Sequence, residues 1–209
     1  MRKLTKILVA TAMLAGMQIG LHAEEFEEGV HYERIDPPQP TTTGDKVEVR
    51  EMFWYGCPHC FRMEPYVERW LRKQPKGSEF VRTPAIFRPG WENHARAYYT
   101  AELLGVVDKI QQPLFNAIHL EKRHLDTDEQ LRDFFAEHGV DKIEFTKTFR
   151  SFAVETYVRR SKALAGRYGI NGVPAFIVNG KYRVSNRNTG GNANTINVIN
   201  YLVEKESKK

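Results

Sequence analysis

The chain has 209 residues, 41% of them hydrophobic and 27% charged, which suits one globular domain or one domain carrying a large insertion. Its formal charge of +5 falls to about +2, 28 basic against 26 acidic residues, once Arg2, Lys3 and Lys6 are set aside as part of a leader. So small an excess gives no reason to expect a nucleic-acid partner.

Residues 1–23 read as a cleaved signal peptide. Arg2, Lys3 and Lys6 form the positive start, Ile7 to Gly16 is a short apolar run, and Ala23 suits the residue before the cut. The alternative is a retained anchor. The apolar run is shorter than the roughly 20 residues that span a bilayer, and Glu24 and Glu25 follow at once. Phe26 to Ile35 has room for one short strand, and the proline-rich stretch 36–45 reads as a loop. Val47 to Tyr55 reads as a strand, with Val47, Val49, Phe53 and Tyr55 apolar at period two and Glu51 interrupting that same face. Gly56 ends the strand. Pro58 can occupy the first turn of a helix reaching about Lys73, in which Pro65 should produce a kink. Phe80 to Thr83 is a second strand.

From Arg88 to Tyr168 the pattern is helical. Thr127 to Gln130 has capping-box form, Asp141 and Glu144 repeat a start signal, and a longer helix runs from Ser151 to Tyr168. Ala175 to Val178 is strand-like, Asn179-Gly180 is a hairpin turn, and Lys181 to Ser185 returns. Thr195 to Glu204 forms the last helix. The expected division is therefore a signal peptide at 1–23, a first part at 24–87, a helical insertion at 88–168 and a second part at 169–209.

Chemistry concentrates in Cys57-Pro58-His59-Cys60, which holds both cysteines of the chain. By the loop-entropy model a bridge closing about four residues adds only about 2 kcal/mol, so a structural staple makes poor sense. A zinc site lacks a second cysteine pair, and haem attachment needs His where Phe61 stands. A disulfide exchanger needs a reactive thiolate with a second thiol in reach, and spacing of three on a first helical turn supplies both. At the helix N-terminus, unpaired N–H groups favour negative charge on Cys57, and His59 can add a positive charge or a hydrogen bond. Cys60, one turn in, is expected to be less exposed and to act as the resolving thiol. Stabilising the thiolate favours the reduced form and makes the disulfide the stronger oxidant.

With Phe53-Trp54-Tyr55-Gly56 before the motif and Gly172-Val173-Pro174 far downstream, the sequence closely resembles the DsbA family over nearly all of the mature chain. The resemblance implies an α/β thioredoxin fold with an inserted helical domain, and a periplasmic oxidant of exported proteins. It further implies a monomer that needs no cofactor beyond the Cys57–Cys60 disulfide and is reoxidised by a DsbB-like membrane quinone reductase. It makes Val173–Pro174 a cis peptide beside the cysteines, where the backbone of Val173 would pair with a substrate strand. It makes Glu51 the buried acid that relays a proton at Cys60. Family members pair that acid with a lysine; here the nearest candidate is Arg82. An apolar docking surface is expected from Trp54, Tyr55, Phe61, Trp91 and Val173, each of which taken singly is as well explained by core packing. His94, His119, His124 and His138 read as surface or helix residues. Two rivals remain: an isomerase or reductase of the same fold, for whose extra dimerisation domain the segment 24–46 is too short, and a holdase that would work without either cysteine.

Overall fold

In the computed structural model the described residues are 26–208, so the expected signal peptide lies outside them. Val47–Phe53 (β2) is buried along its whole length because it is an interior strand. Ser78–Pro84 (β3) pairs with it in parallel on one side and Ala175–Val178 (β4) antiparallel on the other. Tyr182–Ser185 (β5) and the two-residue Glu33–Arg34 (β1) complete an otherwise antiparallel extension, in the order β1-β5-β4-β2-β3. The strand ends at Phe53 rather than Tyr55, and Trp54 and Tyr55 enter the turn before the first helix.

Both faces of the sheet are covered. On one face Val47 and Val49 meet Met63, Val67 and Trp70 of α1 (Pro58–Leu71), and Val198, Ile199, Leu202 and Val203 of α8 (Asn192–Ser207). On the other face Met52 packs with Ala165 and Tyr168 at the end of α6 (Phe152–Arg167). Nothing in the sequence marked Glu48 and Arg50, on this second face, as buried. They satisfy one another: Arg50 Nε donates to Glu48 Oε1 at 2.8 Å and Arg50 Nη1 to Thr83 Oγ1 at 2.6 Å, while Thr42 caps the other carboxylate oxygen. The helix α1 is one element across Pro65, so the kink expected there does not break it.

Between β3 and β4 the chain forms α2 (Glu92–Leu103), α3 (Val107–His119), α4 (Asp128–Glu137), α5 (Lys142–Phe149) and α6. Thr127 and Gln130 form the expected capping box, Asp141 caps α5 and Ser151 caps α6. These helices build a core around Ile110, Leu114, Phe115, Leu131, Phe134 and Phe135 that is continuous with Phe53, Tyr55, Cys57 and Cys60. After the hairpin at Asn179-Gly180, a short α7 (Asn186–Thr189) that the sequence did not signal precedes α8, which starts three residues earlier than expected. Among the described residues no helix is long and apolar enough to cross a membrane.

Candidate active site

Gly56 and Pro58 bracket the first cysteine and set the start of α1. Cys57 is the N-cap, in extended conformation, with its N–H bonded to Trp54 O at 3.0 Å. Pro58 takes a first-turn position, where a missing N–H costs nothing. An added Cβ at Gly56 would lie 2.3 Å from the Trp54 indole, so glycine there makes room for that ring. Both cysteines are free thiols, the reduced state of the pair.

The order of exposure is as expected: Cys57 is 8% exposed and Cys60 fully buried. Cys57 is nonetheless less open than an exposed thiolate, because the loop before β4 lies over it. Its Sγ stands 3.4 Å from the carbonyl oxygen of Val173, and Val173–Pro174 is cis, as the resemblance implies. The Cys57 thiol is lowered to about 6. The neighbouring Cys60 thiol contributes most, burial opposes it, and the N–H groups of Cys60 and His59 and the charge of His59 add to the lowering. The Cys60 thiol is pushed well upward, first by burial, then by its hydrogen bond to Cys57 and the charges of Cys57 and Glu51. The two sulfurs are therefore driven apart in acidity. His59 has a partner that sequence reasoning missed: Arg62 Nη2 lies 3.0 Å from its Nδ1.

Beneath the cysteines Glu51 is 1% exposed, and the register sets it beside Arg82 of β3. Arg82 Nε donates to Glu51 at 3.4 Å, so the candidate pair exists. The guanidinium is shared, however. It also binds Glu64 of α1, equally buried, and Glu68 at 3.3 Å. Sequence reasoning missed Glu64, although it lies four residues after Cys60 on the same side of α1. Glu51 is pushed upward by burial and by the charge of Glu64, against the pull of Arg82; Glu64 is pushed upward by burial, again against Arg82. One cation cannot neutralise two buried carboxylates, so this cluster readily holds a proton. Glu51 Oε1 has no hydrogen-bond partner among the described residues.

The apolar surroundings divide in two. Trp54 and Trp91 stack at 4.1 Å with 6° between their planes, and Phe61 stacks on His119 at 4.9 Å; these four rings and Val173 are only partly buried. Tyr55 is a correction. It is 1% exposed, its hydroxyl donates to buried Gln111 at 2.7 Å, and it belongs to the core rather than to a docking surface. The ring of His119 meets Tyr55 O at 2.7 Å, which ties the end of α3 to the turn before Cys57 and gives this histidine a place at the site. His94 is buried against Leu125 O at 3.0 Å, and burial holds its pKa below the usual value. His138 reaches Phe134 O and His124 is largely exposed. No group of three His, Cys, Asp or Glu residues among the described ones could hold a metal ion.

A thiol of lowered pKa at a helix start, a second, buried thiol one turn in and a cis-proline loop over the first, on this sheet, define the class of thioredoxin-fold thiol oxidoreductases. The model of the DSBA-like thioredoxin domain matches residues 48–195, and the chain belongs to that family. It is 40% identical over 202 residues to the thiol:disulfide interchange protein DsbA of Pseudomonas aeruginosa, covering 95% of this chain and 96% of that protein. The Azotobacter vinelandii DsbA is 39% identical over 207 residues, 95% of this chain and 97% of the relative. Among solved structures, the crystal structure of P. aeruginosa DsbA superposes with a TM-score of 0.84 at 41% identity, over 88% of this chain and 97% of that one. DsbA from Xylella fastidiosa gives 0.80 at 31% identity, over 86% and 96%.

Proposed function

We propose that this protein is a dithiol oxidant that donates its Cys57–Cys60 disulfide to exported proteins in the periplasm. The observation that carries the reading is the opposed acidity of the two sulfurs, one lowered at a helix N-cap and one raised in the core. A low-pKa thiolate stabilises the reduced state and makes the disulfide oxidising. A substrate thiolate attacks Cys57 Sγ, the Cys57–Cys60 bond breaks, and Cys60 leaves as a thiolate that must take up a proton. Glu51 is close enough for its charge to raise Cys60 and is itself inclined to hold a proton, so it supplies one at that step. A second substrate thiolate then attacks the substrate sulfur of the mixed disulfide and releases Cys57 as a thiolate. Two electrons have passed from substrate to protein.

In this reading Pro58 and His59 shape the helix start, and the Val173–Pro174 loop pairs with the substrate backbone. Trp54, Trp91 and Phe61 grip apolar side chains. No cofactor is needed besides the disulfide, and a DsbB-like quinone reductase in the membrane restores it. The chain works as a monomer after removal of residues 1–23, with the insertion at 88–168 set between the thioredoxin-like parts 24–87 and 169–209.

The test is the equilibrium potential of the pair against glutathione, with thiolate absorbance followed across pH. The potentials of the family's namesake, DsbA, and of thioredoxin, about −120 and −270 mV, bracket the outcome. A potential near the first, with a Cys57 midpoint at or below about 6, supports the oxidant. A potential near the second makes the protein a reductase or isomerase.

A further inference from the structure

We infer that the groove beside the cysteines selects substrate polypeptides carrying an acidic side chain close to the thiol that is oxidised; this rests on the reading that the chain oxidises polypeptide dithiols. The groove, about 420 Å³, runs from His59 past Val173 and Pro174 to Arg187. Val173 both covers Cys57 and lines the groove, so the residues flanking a substrate thiol at Cys57 come within its reach.

The charges that line the groove are unbalanced in one direction. Among the described residues Glu33 is its one carboxylate, and that group is already engaged by Arg183 and, at 3.4 Å, by the Asn188 amide. Arg187 is exposed and has no hydrogen bond or ion pair among the described residues, so its guanidinium faces the groove with every donor available. Asn171, also exposed, likewise has no side-chain partner among the described residues. At the other end Arg62 sits on the His59 ring and extends the positive field to the cysteine motif. A planar guanidinium recognises a carboxylate through two parallel hydrogen bonds, which suits Asp or Glu of the substrate. The stacked Trp54 and Trp91 have no charge to contribute, so charge selectivity falls to the groove.

The experiment uses the oxidised full-length mature protein and three dithiol peptides that differ only in whether the residues flanking one cysteine are glutamate, glutamine or lysine. Oxidation rates are measured at low substrate concentration for the wild-type protein, Arg187→Gln and Arg187→Glu. The readout is the glutamate-to-lysine rate ratio within each protein. Comparing that ratio between proteins cancels the intrinsic reactivity of each peptide and any general loss of activity. We expect a ratio for the wild type about three- to fivefold above that of Arg187→Gln, falling as ionic strength rises, and a further fall for Arg187→Glu. An identical ratio in all three proteins overturns the inference while leaving the oxidant reading in place. If the glutamine peptide is not oxidised by the wild-type protein, the oxidant reading fails and the inference falls with it.

Discussion

Arg82 shows what one side chain does when three carboxylates depend on it. It is nearly buried, opposite Glu51 in the sheet and against Glu64 and Glu68 of α1. Replacing it with Met removes the only counter-charge that the structure records for Glu51 and Glu64 among the described residues. Loss of one partner from a buried ion pair costs about 3 kcal/mol or more, and denaturant unfolding at pH 8 should read that loss. The cost should shrink at pH 5. Both carboxyls have folded-state pKa values raised above the unfolded value, so their contribution is fully present below the unfolded pKa and is lost as pH rises through the folded one. A penalty equal at both pH values would mean that Arg82 acts by packing alone. At this scale the site was half legible. Cys57, Cys60 and Pro174 announce themselves in short motifs, and Glu51 breaks an apolar period. Glu64 and Arg62 lie within a helical turn of Cys60 and His59, but the cation that gives Glu64 its role comes from β3, and His119 touches a carbonyl 64 residues away.

At the scale of elements, the hairpin joining β4 to β5 holds more than its own strands. Asn179 and Gly180 have φ of 51° and 65°, the left-handed pair that Asn-Gly turns favour. Gly180 O accepts the N–H of Gln39 at 2.9 Å, which fastens the proline-rich loop to the sheet, and an added Cβ at Gly180 would stand 1.9 Å from Gln39 O. Gly77 has a similar φ of 79° with nothing within 4 Å of an added Cβ. Gly180→Ala should therefore lower the Tm clearly more than Gly77→Ala, for which the left-handed backbone cost of about 1–2 kcal/mol is the whole effect. Equal losses would show that the loop yields freely. The turn, the caps at Thr127, Asp141 and Ser151, and the strand periods were all readable in sequence, since each is set by residues within a few positions of one another. The short α7 was not, because Asn, Arg and Thr give a four-residue turn no periodicity to betray it.

At the scale of the whole molecule, the cores of the two halves are unequally tied to the chemistry. Phe115 of α3 lies against Phe53, Tyr55 and Phe61 in the cluster that contains both cysteines. Leu202 of α8 belongs to the separate cluster on one face of the sheet. Truncating either to alanine should cost roughly 2–5 kcal/mol. Only Phe115→Ala should also displace the thiolate titration midpoint of Cys57, measured by absorbance on the still-folded variants. A shift in Leu202→Ala of the same size would mean that any softening of the fold reaches the sulfur.

The loop over Cys57 also bears on how the protein ages. A thiolate of low pKa is the form that peroxides attack, and successive oxygens carry it through sulfenic to sulfinic acid, a form without general repair. Here Cys57 is a nearly buried residue whose sulfur lies under the Val173 carbonyl and beside the Cys60 thiol. A first oxygen added there sits beside the Cys60 thiol, and condensation of the sulfenic acid with that thiol, releasing water, would return the working disulfide. The closeness of the two sulfurs thus gives a damaging reaction a route back to the active oxidant.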